Sequence, residues 1–269
     1  MIGLFLGGTD FPSLILKKIK KYNKKYFIID LTKKNNFKKD KNSYFISIGK
    51  FGEILKIIKK KNCKKVLFAG KIEKPKISNL KFDYKGLYYL PRIIKAFKLG
   101  DAAILKELIK ILSENNIKVI KSNFYNPELT LKKGCYTKLK PNKKEFEEIK
   151  FGKKYLNKIN PYNHTQAIIV KNKKIINKEN HKGTKQMITG TKNNKYKNSI
   201  LIKFPKIEQD IRADLPTIGY DTFVDCFKAN IKGIVLKSNA NIFLDKKKSI
   251  NFANKHNIFL YVIWKKFLY

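Results

Sequence analysis

The chain has 269 residues, of which 43% are hydrophobic, and a formal net charge of +41. That length suits two compact domains better than one small core, and no apolar stretch reaches membrane-spanning length, which argues against a transmembrane helix. The lysines are spread along the whole chain, between apolar residues as well as in runs, whereas a nucleic-acid-binding protein gathers its basic residues on one face or in a tail, so no nucleic-acid partner is expected.

Met1–Gly7 is a continuous apolar run closing on Gly7-Gly8-Thr9-Asp10. It reads as a first strand and turn, and with no basic segment before it a signal peptide is not expected. Pro12–Tyr22 has apolar residues at helical spacing, with Pro12 suited to a first turn. Strands follow at Tyr26–Asp30 and Tyr44–Ile48, then an amphipathic helix over Phe51–Lys61 and a buried strand at Lys65–Gly70. A helix over Asp101–Asn115 and a strand at Ile117–Ile120 complete an alternation that predicts a parallel, three-layer α/β domain over 1–125. Residues 126–145, within a stretch rich in Asn, Pro, Gly and Lys, read as a linker. The second domain, 146–269, is expected to be α/β with a mixed sheet: a hairpin around Asn172-Lys173, and strands at Ile200–Phe204, Gly233–Leu236, Ile242–Leu244 and Ile258–Trp264. Its expected helices are Gly219–Ala229 and Lys248–Lys255.

The three cysteines, Cys63, Cys135 and Cys226, are odd in number, far apart and without a CxxC spacing. That argues against a disulfide framework or zinc site and favours a reducing cytoplasm. His164, His181 and His256 have no metal spacing. Lys, Asn and Ile, all abundant here, have AT-rich codons, so the high charge reads as genome bias; it still attracts anionic ligands and anionic lipid surfaces. Against that background the only arginines, Arg92 and Arg212, mark places where a planar bidentate donor is useful.

Acidic residues are scarce, 20 in all, yet Glu208, Asp210, Asp214, Asp221 and Asp225 fall in one short stretch. Neighbouring carboxylates suit a hard divalent cation, which uses a few of them and keeps several waters. Asp210 and Asp214 are therefore candidates for metal ligand or general base. Arg212, Lys203 and Lys206 can neutralise a pyrophosphate, whose hydrolysis needs developing charge stabilised and a water aligned.

The run Gln209-Asp210-Ile211-Arg212-Ala213-Asp214-Leu215-Pro216-Thr217-Ile218-Gly219 strongly resembles the signature of the two-domain UDP-2,3-diacylglucosamine pyrophosphatases, those not of the calcineurin-like type. The resemblance covers nearly the whole chain. Gly7-Gly8-Thr9-Asp10-Phe11-Pro12 looks like that family's first glycine-rich turn. Ala69-Gly70-Lys71-Ile72-Glu73-Lys74-Pro75 looks like its next loop, followed by Asp83. Gly100-Asp101 opens a helix as in the family, and Gln166 precedes the first strand of the second domain. Glu179, Gly183, Thr184 and Met187 match part of a Glu-x-x-Glu-Gly-Thr-Asp-x-Met pattern.

The resemblance implies an N-terminal Rossmann-like domain and a C-terminal α/β domain. It implies Mg²⁺-dependent cleavage (Mn²⁺ being an alternative) of UDP-2,3-diacylglucosamine to UMP and 2,3-diacylglucosamine 1-phosphate in lipid A biosynthesis, with water attacking the phosphorus nearer the sugar. It makes Asp210, Asp214 and Arg212 the catalytic candidates, the two aspartates also the metal ligands. The substrate-binding candidates are Gly8, Thr9, Gly70, Lys71, Gln166, Gly183, Thr184, Lys203, Lys206, Gln209 and Thr217. Location in the cytoplasm, peripheral on the inner membrane face, and a homodimer are further expectations of this kind. Phe82, Tyr84, Tyr88, Tyr89 and Phe97 are candidates for an acyl-chain groove, core packing being the commoner role for such residues. Four positions depart from the pattern: Lys182 and Lys185 stand where the family has Glu and Asp, Asn163 where Asp is usual, and Thr165 where Gly is usual. Lysine for carboxylate reverses the local charge, which lowers metal affinity if those acids touch the metal; alternatively the lysines contact phosphate directly. A non-catalytic nucleotide-sugar or lipid-binding relative is the second reading.

Overall fold

The computed structural model describes residues 1–72, 77–159, 165–191, 196–206 and 209–264. Contacts divide the chain into two units, Met1–Pro127 with Gln209–Asp214, and Glu128–Glu208 with Leu215–Tyr269. The acidic signature, expected wholly in the C-terminal domain, thus gives its first six residues to the N-terminal unit. There Ala213 packs on the core and the Ser122 N–H donates to the Arg212 carbonyl at 2.7 Å.

The first unit holds strands β1 (Ile2–Leu6), β2 (Tyr26–Asp30), β3 (Ser43–Phe45), β4 (Lys65–Ala69) and β5 (Lys118–Val119). They form a sheet in the order β3-β2-β1-β4-β5 with every pairing parallel, the order of doubly wound α/β sheets. β1 is buried throughout, which is why it reads as an unbroken apolar run: a parallel sheet is covered on both faces. Helices α1 (Phe11–Lys21), α2 (Phe51–Lys60), α3 (Tyr84–Leu99) and α4 (Asp101–Glu114) belong to this unit. Phe5, Phe27, Ile29, Val66 and Phe68 share one core with residues of α2, α3 and α4. The alternating strand residues Leu4, Leu6, Ile28 and Leu67 are fully buried and face the other side of the sheet.

Helix α3 was not expected, because Gly86 and Pro91 lie inside it and both disfavour helix interiors. It is secured by Asp83, whose carboxylate accepts from the N–H of Gly86 in its own first turn (2.8 Å) and from Gly52 (3.0 Å) and Glu53 (2.9 Å) at the start of α2. One side chain thus caps two helices. Burial opposes its charge, yet the three donors outweigh that and hold the carboxyl below the ordinary aspartate range. Across α3 and α4, Arg92 forms a bidentate pair with Glu114 at 2.7 and 2.8 Å and bonds Glu107 through Nε at 2.7 Å.

The second unit holds β6 (Gly134–Cys135), α5 (Lys143–Lys158), β7 (Ala167–Lys171), β8 (Lys174–Lys178), α6 (Thr184–Thr189), β9 (Ser199–Lys203), β10 (Thr217–Ile218), α7 (Tyr220–Lys228), β11 (Ile231–Lys237), β12 (Ile242–Phe243), α8 (Lys246–Lys255) and β13 (Phe259–Ile263). Its main sheet runs β6-β13-β11-β9-β7-β8. β9, β11 and β13 are parallel and β6, β7 and β8 join antiparallel, so the sheet is mixed, as expected. α5 covers one face with Ile149 and Leu156. α6, α7 and α8 cover the other with Met187, Ile188, Phe223, Cys226 and Ala253. α5 begins inside the stretch read as a linker, on a capping box in which Asn142 and Glu145 bond reciprocally. Cys63, Cys135 and Cys226 are free thiols, and among the described residues no helix is long and apolar enough to cross a membrane.

Candidate active site

In the first unit the chain turns sharply after β1 and after β4, the two strands at which the strand order reverses. In open parallel sheets that reversal, at the carboxyl ends of the strands, is where ligands bind. The Gly8 N–H donates to the Lys71 carbonyl (2.9 Å) and the Lys71 N–H to the Gly8 carbonyl (2.8 Å), locking the two turns together. A Cβ on Gly7 would collide with the Lys71 carbonyl. Gly70, at φ +86°, has Pro12 and the Gly8 carbonyl where a Cβ would go. Thr9 follows at φ 109°, a conformation that costs a β-branched residue of the order of 1–3 kcal/mol and clusters at functional sites.

Beside these turns lies an apolar cavity of about 300 Å³. Phe68 of β4, Tyr89, Leu90 and Phe97 of α3, and Leu108 of α4 line it, together with Phe82, Gly70, Lys71, Ala213 and Asp214. Of the five aromatics considered for an acyl groove, Phe82, Tyr89 and Phe97 line this cavity. Tyr84 and Tyr88 do not: they stand on the outer side of α3, 82% and 64% exposed. Asp101, the first residue of α4, also lines the cavity and was missed as a site candidate; the Gly100-Asp101 pair was its only signal.

Within the signature, the Ala213 and Asp214 N–H groups donate to the Asp210 carbonyl at 3.1 and 2.9 Å, closing a turn. Gln209, 7% exposed, donates from Nε2 to Asp214 Oδ2 at 2.5 Å and so fixes that carboxylate. Asp210 pairs with Arg212 through Nε (3.0 Å) and Nη2 (2.7 Å), and accepts from the Arg212 N–H at 2.9 Å. Burial raises the Asp210 pKa, but Arg212 outweighs this and the carboxyl sits below its ordinary value. Asp210 and Arg212 are therefore bound to each other, whereas Asp214 lines the cavity.

This arrangement bears on a divalent cation. Among the described residues no group of three or more His, Cys, Asp and Glu forms a cage, and Asp210 is engaged by Arg212. Mg²⁺ needs only one or two carboxylates when substrate phosphates and water complete its shell. The residues present would fit such an ion through Asp214 alone, the rest of its shell coming from ligand oxygens and water.

The second unit carries its own polar cluster. Lys203, only 7% exposed at the end of β9, donates to Thr184 Oγ1 (2.8 Å) and to the Thr217 carbonyl (3.1 Å). Thr184 donates in turn to Glu179 at 2.5 Å, whose other oxygen accepts from the Gln166 N–H at 3.2 Å. Gly183, at φ +88°, precedes α6 and lets the chain turn there. Gln166 Oε1 is buried with no hydrogen-bond partner among the described residues, an acceptor for a ligand donor. Lys206 is half-buried, while Lys182, Lys185 and His181 are exposed. His256 packs between Phe227 and Phe252. Glu73, Lys74, Pro75, Asn163, His164 and Glu208 lie outside the described residues.

Comparison with known proteins bears on both units. The LpxI N-terminal domain family matches residues 1–129 and the LpxI C-terminal domain family residues 132–261. A relative from Caulobacter vibrioides, named UDP-2,3-diacylglucosamine pyrophosphatase LpxI, is 28% identical over 225 residues, 80% of each chain. With matches that run through both units, the chain belongs to the LpxI family.

Proposed function

We propose that this chain hydrolyses the pyrophosphate of UDP-2,3-diacylglucosamine, releasing UMP and 2,3-diacylglucosamine 1-phosphate. Family membership and the relative's name support the reaction class. The observation in this chain that carries the reading is the apolar cavity with Asp214, Gly70 and Lys71 in its lining. A diacylated sugar phosphate needs apolar volume next to groups that bind an anion and position water. The acyl chains occupy the cavity and Lys71 meets the phosphates.

Water attacks the phosphorus nearer the sugar, the bridging P–O bond breaks and UMP departs with its electron pair. Asp214, held in one orientation by Gln209, orients that water. Asp214 would hold Mg²⁺ or Mn²⁺, which when bound would supply charge neutralisation and a more acidic water. In the second unit the buried Lys203, oriented through Thr184, offers positive charge to an anionic ligand. Gln166 Oε1, in the same unit, offers an acceptor to a ligand donor. Asp210 and Arg212 brace the turn that presents Asp214. Because the substrate is a lipid, the enzyme works as a peripheral protein on an anionic bilayer, where its net charge of +41 favours it.

UMP release by the purified chain, with and without Mg²⁺, tests this. Release that falls at least about 100-fold in Asp214→Asn, without loss of fold, is expected; release unchanged in that variant sinks the assignment. The exposed Lys182 and Lys185, in place of family carboxylates, favour one second reading, a relative that binds without turnover. Saturable substrate binding with no UMP from the wild type would select it.

A further inference from the structure

Helix α3 is apolar on two sides. Its inner side supplies Tyr89, Leu90 and Phe97 to the cavity. On its outer side Tyr84, Leu87 and Tyr88 are 82%, 55% and 64% exposed, and Ile94 also stands open to solvent. The spacing of Tyr84, Leu87 and Tyr88 puts them on one helical face. Single exposed apolar residues are ordinary, but a cluster on one face marks an interaction surface.

The charges along this face identify the partner. Lys81, Lys85, Lys95 and Lys98 are exposed along the same segment. Asp83, just ahead of the helix, is turned into the backbone of two helix starts, and Arg92 is occupied by Glu107 and Glu114. Tyrosines among apolar residues, fringed by lysines whose stems reach past them, suit the boundary of a bilayer with anionic headgroups. A second copy of the chain suits it poorly, since each copy carries +41 and like-charged copies repel.

We propose that the outer face of α3 docks on an anionic phospholipid surface. The helix that lines the cavity then lies against the bilayer, and a lipid chain crosses about one helix diameter, of the order of 10 Å, to enter. The role in substrate capture rests on the proposed hydrolysis; the docking itself does not.

Vesicle flotation separates the two. The wild-type chain is expected to float with phosphatidylglycerol–phosphatidylethanolamine vesicles and not with phosphatidylcholine alone. Tyr84→Ser/Leu87→Ser/Tyr88→Ser should partition about tenfold less, with an unchanged circular dichroism spectrum. Lys85→Glu/Lys95→Glu/Lys98→Glu, which spares the apolar residues, should lose binding as well. Both variants should release UMP normally from a short-chain substrate dispersed in detergent, and more slowly from substrate presented in vesicles. Flotation of both variants like the wild type, or failure of the wild type to float, overturns the proposal. So does dissociation of a wild-type dimer by the serine variant in sedimentation, which would give the face to a second copy. Absence of UMP release from dispersed substrate by the wild type would count against the hydrolysis alone and leave the flotation result standing.

Discussion

At Asp210 and Asp214 two carboxylates four residues apart in the same signature are held in different ways. The spacing in the chain makes them equivalent candidates; the hydrogen bonds do not. Asp210 is paired with Arg212 within its own turn, and Asp214 is held by Gln209 at a cavity wall. Asp210→Asn should therefore lower stability by about 1 kcal/mol, the pair being partly exposed. It should reduce kcat far less than Asp214→Asn, and urea melts with steady-state UMP release compare the two. Equal losses of kcat would mean that Asp210 also touches substrate. Thr9 gives a second test at this scale. Its φ of 109° is strain that glycine relieves, so Thr9→Gly should raise stability by about 1 kcal/mol after the entropy cost of glycine. If the strain shapes the phosphate turn, KM should rise in the same variant. The signature and both glycine turns were legible in the sequence because each is a local run. The partner of each side chain was not, since Gln209 and Arg212 could each reach either aspartate until the turn closed on the Asp210 carbonyl.

Among the elements, those with one dominant period could be read from the sequence. Tyr26–Asp30 is a strand to the residue and Phe51–Lys60 a helix within one, since a buried parallel strand and an amphipathic helix each write a plain pattern. α3 was hidden by Gly86 and Pro91 because its formation depends on Asp83 and on tertiary packing, which local propensity does not record. α5 was hidden differently: Asn142 and Glu145 spell its capping box, but the lysines around them read as linker. The double cap leads to a pH prediction. The Asp83 carboxyl titrates below its unfolded value, so its stabilisation is complete above the unfolded pKa of about 3.9 and fades as pH falls through the lower folded pKa. Asp83→Ala should cost about 2 kcal/mol at pH 7, from two helix starts at about 1 kcal/mol each. The gap from wild type should narrow below about pH 4. Urea melts across that range decide it, and a gap independent of pH would mean that the cap acts without its charge.

For the whole molecule, the strand order in each sheet depends on pairings between distant segments, and nothing in a local run encodes them. Charge, by contrast, is a whole-chain quantity open to reading from the start. With 61 basic residues against 20 acidic ones, most cations lack a carboxylate of their own to meet. Ion pairs such as Lys50–Glu53 and Lys150–Glu147 are exposed and of little worth. Repulsion among the lysines should then outweigh attraction between pairs, and it is repulsion that salt screens, the Debye length falling from about 10 Å at 0.1 M to about 3 Å at 1 M. Raising NaCl from about 0.05 to about 0.5 M should stabilise the chain by roughly 2 kcal/mol, or about 5 °C in Tm. The same salt should weaken flotation with anionic vesicles, because there the lysines meet opposite charge. Calorimetry and flotation over one salt series should thus move in opposite directions. A Tm that falls with salt would show that ion pairs, not repulsion, dominate the folded state, and that the lysines are matched by carboxylates to a degree their numbers do not suggest.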